Sequence, residues 1–172
     1  MRQIEIPSFL AHLKVDGRGY PIPFFVGYID GKPDFRLLDA KKQVICFEQK
    51  LCSVCGKKLF KDSLFFISGP QGLSNAISTD PGMHRDCAEY SMKFCPHLYF
   101  EKSERRETGE VYQLAKMNTD QAVIVAKPNE LFVIKADKYW KVPNPQGGGF
   151  YIGYRVIKAE RYIYKNGTLE KQ

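Results

Sequence analysis

Two short cysteine-containing motifs constrain this chain more than any other feature of its 172 residues. Cys52 and Cys55 form the Cys-x2-Cys pair of "CSVCG", and His84 and Cys87 form the His-x2-Cys pair of "HRDC". A Cys-x2-Cys turn brings two thiolates to one metal ion, and Gly56 relieves crowding where that turn closes. We therefore expect the chain to fold around a metal ion that both pairs bind.

The second pair lies at the start of the principal helix that the sequence predicts. This helix runs from about Pro81 to Phe94, with Asp80 as its N-cap and a proline at the first helical position, where no N–H donor is needed. His84 and Cys87 are three positions apart, so both side chains would project from one face of the first turn. The helix start would thus supply an imidazole and a thiolate together.

These two pairs predict a single zinc site. Two thiolates from a turn, with one imidazole and one thiolate from a helix start, complete a tetrahedron that suits Zn²⁺. We predict one structural Zn²⁺ bound by Cys52, Cys55, His84 and Cys87.

The fourth ligand has alternatives that the sequence leaves open. Cys95 and His97, in "FCPHL", lie one short helix downstream and could replace His84 or complete a different set. Cys46 is a further candidate, although nothing in the sequence supplies a second complete site.

Catalysis has little support in the sequence. A zinc ion with four protein ligands has no open position for substrate or water. Zinc deaminases place His-x-Glu before Cys-x-x-Cys, whereas this chain has Cys-x-x-Cys first and no His-x-Glu. The glycine-rich "PQGGGF" (145–150) lacks the Gly-Lys-Ser/Thr of a phosphate-binding loop. The sequence favours a binding role over catalysis without excluding an activity.

The chain reads as a single compact unit over residues 1–172 with four parts. Residues 1–45 contain a predicted β-hairpin around Asp30-Gly31, and residues 46–100 form the zinc module. Residues 101–110 are a charged loop, and residues 111–172 form a basic β segment. The run 42–51, "KQVICFEQKL", fits a strand and a helical turn equally well.

The C-terminal part is rich in branched and aromatic residues. Its predicted strands are "VYQLAK", "QAVIVAK", "LFVIKA", "FYIGYRVIK" and "RYIYK", with turn-forming residues at Lys127-Pro128-Asn129 and Asn166-Gly167. The predicted fold class is therefore α+β: mostly antiparallel β-structure with one principal helix and a treble-clef-like zinc module.

The positive charge of the chain lies mainly in this C-terminal part. The formal net charge is +7, and residues 111–172 hold 10 basic against 5 acidic residues. Cations alternate there with aromatic rings, a mixture that follows a phosphate backbone and stacks on bases. We predict that these residues bind nucleic acid: Tyr151, Tyr154, Arg155, Lys158, Arg161, Tyr162 and Lys165.

A protein-interaction module, engaging a host or virion protein, is the alternative function. The alternation of cations and aromatic residues in the C-terminal part does not require nucleic-acid binding. An ordinary antiparallel strand pair with half-buried tyrosines and exposed lysines would give the same pattern. Trp140, in "KYWKVPNP", is a candidate anchor for a partner. Its exposure to solvent would favour this alternative.

The cysteine count and the N-terminus predict a cytoplasmic protein. Five cysteines cannot form a complete set of internal disulfides. The N-terminus lacks a secretory pattern, and no window approaches the roughly 18 apolar residues of a membrane span. We expect neither membrane binding nor a small-molecule substrate.

The motif order "CSVCGKKL … HRDCAEY … CPHL", preceded by "IPSFLAHLKVDGRGYPIPFFV", resembles a family of largely uncharacterised proteins encoded by bacteriophages and bacteria, especially actinobacteria. The resemblance covers most of the chain. It implies an origin in a phage or mobile element, in which case the protein would act in the host-cell cytoplasm.

A second, local resemblance concerns the segment from Cys52 to Cys87. Its spacing, with "KDSLFF" between the pairs, is similar to the treble-clef finger of poly(ADP-ribose) polymerases, which recognises DNA breaks. The resemblance implies a zinc ion held between a knuckle and a helix N-terminus. Only the fold of the module is carried over, because the segment lacks the positive charge that DNA binding requires.

Overall fold

A computed structural model describes residues 4–60, 62–99, 128–145 and 149–172. It confirms the α+β fold class with antiparallel strands. The described helices and strands are a short 3-10 helix (Ser8–Leu10), β1 (Val26–Ile29), β2 (Lys32–Leu38), α1 (Ala40–Gln49), β3 (Leu64–Ser68), α2 (Pro70–Asn75), β4 (Ile77–Ser78), α3 (Arg85–Phe94), α4 (Pro96–Tyr99), β5 (Glu130–Pro143), β6 (Phe150–Lys165) and β7 (Thr168–Lys171). No helix in these ranges is long and apolar enough to span a membrane.

The N-terminal hairpin forms where the sequence predicts it. Strands β1 and β2 pair antiparallel, and Asp30 and Gly31 occupy the turn with φ values of +48° and +75°. Positive φ at both turn residues matches the right-handed twist of the flanking strands, which explains the Asp-Gly preference.

The ambiguous run that follows the hairpin is a helix. The Asp39 side chain accepts hydrogen bonds from the backbone N–H groups of Lys41 and Lys42, and so caps the N-terminus of α1. The helix ends at Gln49, and its C-cap Lys50 has the left-handed φ of +54°. A side-chain cap therefore decides between the two structures that the residue pattern left open.

The main sheet has the strand order β3-β5-β6-β4, and β7 pairs with β6. Asn166-Gly167 forms the predicted turn between β6 and β7. The runs 150–158 and 161–165, predicted as separate strands, join in the single strand β6. The predicted strands 111–116 and 121–127 and the charged loop 101–110 lie outside the described residues.

Two register shifts interrupt the pairing of β5 with β6. Lys135 faces Lys158 but Ala136 faces Val156, so Ile157 is an extra residue in β6. A second shift follows between Ala136 and Tyr139 in β5. Beyond these bulges the two strands continue past the start of β3, and we call residues 137–145 and 149–156 the β5–β6 arm.

The hydrophobic core lies on both faces of this sheet. On one face, Leu131 and Val133 of β5 pack with Cys52, Cys87 and other residues of the predicted zinc module. On the other face, Phe66 of β3 and Tyr154 of β6 stack at a ring-centroid distance of 4.4 Å. The proposed metal ligands therefore share a core with the C-terminal strands.

The principal helix begins later than the sequence predicts. Its first residue is Arg85 and its N-cap is His84, so the predicted start at Pro81 with Asp80 as cap is wrong. The residues before His84 stay extended because the backbone of Met83 exchanges two hydrogen bonds with that of Phe65, each 2.9 Å long. These strand-like bonds compete with helix formation.

Candidate metal centre

Backbone hydrogen bonds fix the turn that carries the first cysteine pair. The Cys52 N–H donates to the Lys57 carbonyl at 2.8 Å, and the Gly56 N–H donates to the Cys52 carbonyl at 2.9 Å. Gly56 has a φ of +70°, and a β-carbon there would lie 3.1 Å from the Phe24 ring. The turn therefore requires glycine at this position for both backbone conformation and space.

The turn is also joined to the rest of the fold through its carbonyl groups. The Ser53 and Val54 carbonyls accept hydrogen bonds from the backbone N–H groups of Phe25 and Phe24, at 3.0 and 2.8 Å. The Cys55 carbonyl lies 2.8 Å from Nε2 of His12. The N-terminal segment thus holds the cysteine turn in place.

The second ligand pair lies at the N-terminus of α3. His84 is the N-cap, with extended backbone angles, and Cys87 is in the first helical turn. The backbone N–H groups at a helix N-terminus carry partial positive charge, which favours thiolates nearby. Although His84 is outside the helix, its side chain and that of Cys87 reach the same point.

The four predicted ligands come together in the structure. The ligand atoms of Cys52, Cys55, His84 and Cys87 all lie within 4.8 Å of one another. The three cysteines are buried, and His84 is partly exposed. Sulfurs bound to tetrahedral Zn²⁺ at about 2.3 Å are roughly 3.8 Å apart, so this Cys3His group can hold a metal ion.

The hydrogen bonds of His84 identify the nitrogen that faces the cysteines. Nε2 lies 3.0 Å from the Lys58 carbonyl, to which it donates, and Nδ1 lies 3.3 Å from Sγ of Cys55. An N–H bond to a carbonyl fixes the tautomer and leaves the other ring nitrogen for the metal. Nδ1 is therefore the candidate ligand atom.

Backbone N–H groups also point at the sulfur of Cys52. The N–H groups of Cys55 and His84 donate to this sulfur at 3.5 and 3.4 Å. Hydrogen bonds of this kind favour the charged form of a buried thiol.

The three thiols have opposed ionisation preferences. Burial raises the pKa of the Cys52 thiol, but hydrogen bonds from Cys55, Cys87 and His84 outweigh burial and lower that pKa well below its usual range. The same contacts with Cys52 raise the pKa of the Cys55 and Cys87 thiols. A bound divalent cation lets all three thiols ionise together, which is the chemistry of a metal site.

The other candidate ligands are not part of this group. Cys46 lies in α1, and burial raises the pKa of its thiol to about 12. Cys95 and His97 lie beyond the opposite end of α3, ten residues or more after His84. The arrangement therefore supports His84, rather than Cys95 or His97, as the fourth candidate ligand.

The residues predicted to bind nucleic acid do not form one surface. Tyr154 and Tyr162 are 1% and 9% exposed and belong to core clusters on opposite faces of the sheet. The Tyr154 hydroxyl donates to the Gly72 carbonyl at 2.8 Å. These two rings cannot stack on bases, so this part of the prediction is corrected. The sequence pattern does not reveal the bulge at Ile157. This extra residue places side chains before and after it on opposite faces of the sheet from those that simple alternation predicts.

The predicted cations are exposed, but most of them pair with carboxylates. Arg155 forms an ion pair with Asp137, and Arg161 forms one with Glu130. Lys158 lies 3.5 Å from Glu160, which also binds Arg85 and Lys171. Tyr151 is partly exposed, and Lys165 is exposed at the end of β6. The surface of β6 is therefore less positive than its sequence indicates.

Sequence reasoning did not identify the exposed ring of Phe60 and left the exposure of Trp140 undecided. Phe60 is 73% exposed in the loop after the cysteine turn, and Trp140 is 48% exposed on the β5–β6 arm. The lysines around Phe60 in "KKLFKDS" were the available signal. Comparisons with protein-family models, curated proteins and solved structures found no match to this chain.

Proposed function

We propose that the Cys3His group binds one structural Zn²⁺ and that the folded protein binds nucleic acid. The observation that carries the zinc assignment is the convergence of three buried thiols and Nδ1 of His84. Four protein donors fill a tetrahedral coordination shell, so the zinc ion holds the fold together and has no position for a substrate.

Positive charge that is not neutralised by carboxylates supports the nucleic-acid assignment, because it can bind phosphate. The chain has a net charge of +7. Lys138 and Lys165 are exposed on the C-terminal strands and form no ion pair within the described ranges. Exposed lysines attract phosphates and release their counterions, which favours binding at low salt.

Three further features belong to this proposal. The cysteine turn and the N-terminus of α3 would form a treble-clef zinc module, as the local resemblance implies. The motif order supports an origin in a phage or mobile element. The five cysteines, which form no disulfide, fit a reducing host-cell cytoplasm.

The experiment is fluorescence-anisotropy titration of the zinc-loaded protein with labelled single-stranded and double-stranded DNA and RNA. We expect submicromolar binding at about 50 mM salt and an affinity at least about tenfold lower at about 200 mM salt. An absence of binding at the lower salt concentration would overturn the nucleic-acid assignment and leave the zinc assignment standing.

A protein partner is the second candidate, and the 48% exposure of Trp140 favours it. Tyr28, 47% exposed on β1, provides a matched control aromatic. A purified partner should bind the Trp140→Ala variant at least about tenfold more weakly than the Tyr28→Ala variant, as expected for an anchor residue. Equal affinities would oppose a role for Trp140 as the anchor.

A further inference from the structure

Phe60 and Trp140 are exposed aromatic residues whose backbone positions are fixed by the fold. Phe60 lies in a turn closed by Ser63, whose backbone N–H donates to the Phe60 carbonyl at 3.0 Å and whose hydroxyl accepts from the Phe60 N–H at 3.1 Å. The Trp140 indole lies against Gly153, its cross-strand partner, where any β-carbon would collide with it. Both rings thus face solvent from a fixed support.

These supports lie at the same end of the sheet. Strands β3 and β5 are antiparallel, and Leu64, the first residue of β3, faces Ala136. The chain before Leu64 and the part of β5 after Ala136 therefore extend beyond β3 in one direction. The Phe60 turn precedes Leu64, and Trp140 follows Ala136.

A groove of about 620 Å³ lies beside Trp140 at this end of the sheet. Its lining consists of Phe47, Glu48, Lys50 and residues 137–140. The Lys50 carbonyl accepts a hydrogen bond from the Leu59 N–H at 2.8 Å, so the residue before Phe60 is tied to the groove wall.

The charge around the groove is positive after ion pairs are considered. Lys50, Lys58 and Lys138 are exposed and form no ion pair within the part of the chain that the structure describes. The groove carboxylates Glu48 and Asp137 are neutralised by Lys141 and Arg155. Asp62, also exposed, is the opposing charge nearby.

We propose that this end of the molecule is a contact surface for single-stranded nucleic acid, an inference that rests on the proposed function. We call it the aromatic end and define it by Phe60, Trp140, Lys50, Lys58 and Lys138. The lysines contact successive phosphates, and the two rings stack on unpaired bases, which a duplex does not expose. The surface thus differs from the β6 residues that the sequence indicated.

The test is anisotropy titration with a labelled oligothymidylate of about 20 nucleotides, a length that spans a typical single-strand site. Phe60→Ala and Trp140→Ala should each weaken binding by about tenfold, the effect of losing one stacked base. Trp140→Phe keeps a stacking face and should restore most of the affinity. Tyr28→Ala, with an equally exposed ring on the N-terminal hairpin, should bind as the wild type does.

Charge and fluorescence provide two independent readouts. Lys58→Gln and Lys138→Gln should each reduce the slope of log affinity against log salt by about 0.7, whereas Lys32→Gln on β2 should not change it. Trp140 is the single tryptophan of the chain, so the oligonucleotide should quench the intrinsic tryptophan fluorescence.

Each outcome has a separate meaning. Wild-type binding that neither Phe60→Ala nor Trp140→Ala weakens would place the contact elsewhere and overturn this inference, with nucleic-acid binding itself intact. No wild-type binding to any nucleic acid would overturn both. The unfolding free energy of each variant shows whether the substitution causes a folding defect. We expect no such defect in Phe60→Ala, because the Phe60 side chain is largely exposed to solvent.

Discussion

His84 combines two roles that are usually assigned to different residues. Its backbone is extended and ends the strand-like segment before α3, while its ring is fixed by the Lys58 carbonyl and faces the cysteines. Residue spacing identified the side chain as a candidate ligand because metal coordination needs particular residue types close in sequence. The spacing could not identify its backbone conformation, because the preceding residues Gly82 and Met83 are kept extended by hydrogen bonds with Ser53 and Phe65, far away in the chain.

A comparison of Cys55 with Cys46 separates the effect of metal binding on stability from the effect of burial. Cys55 and Cys46 are both buried, but only Cys55 belongs to the Cys3His group. Cys55→Ala should lower the unfolding free energy by about 3 kcal/mol or more, because a zinc ion bound at the Cys3His group would stabilise only the folded state. Cys46→Ala should cost about 1 kcal/mol, as expected for a small cavity.

Urea denaturation of the two variants and the wild type, with metal content measured on the same samples, gives the comparison. Equal losses in unfolding free energy would show that burial, rather than metal binding, accounts for the role of Cys55.

Strand β6 illustrates what local sequence patterns can and cannot predict. Its branched and aromatic residues identify it as β-structure, and Asn166-Gly167 marks its end. The bulge at Ile157 depends on pairing with β5, a partner that no local pattern specifies. Alternation along β6 therefore fails after the bulge, so Tyr154 and Tyr162 lie on opposite faces of the sheet, and each is buried in the core cluster that covers its face.

Helix α1 gives a test of the cap that decides its conformation. The Asp39 carboxylate accepts from the Lys41 and Lys42 N–H groups at 2.9 and 3.2 Å. Asp39→Ala should lower the unfolding free energy by about 1 kcal/mol, while Asp39→Asn keeps an acceptor and should cost less. Urea denaturation measures both variants, and an equal effect of the two would argue against the cap.

The molecule as a whole is built around a shared core rather than around an appended zinc finger. Cys52 and Cys87 pack with Leu131 and Val133, which come from the other end of the chain. The sequence predicted the parts, including the hairpin, the metal ligands and the C-terminal strands. Their joint packing was not predictable, because it depends on long-range contacts that leave no periodic signal in either segment.

This arrangement would couple metal binding to folding of the molecule. Because the ligands lie between α3 and the main sheet, the ion would stabilise elements from both halves of the described chain. The proposed nucleic-acid surface would depend on the same framework, since the Phe60 turn follows the cysteine turn directly.

Zinc-edge X-ray absorption of the purified protein tests the zinc assignment most directly. We predict about one zinc ion per chain, with three sulfur neighbours at about 2.3 Å and one nitrogen neighbour at about 2.0 Å. His84→Ala should remove the contribution of the imidazole nitrogen from the spectrum, whereas His97→Ala should leave the spectrum unchanged. Protein that is folded without stoichiometric zinc, or a spectrum with fewer than three sulfur neighbours, would contradict the Cys3His centre.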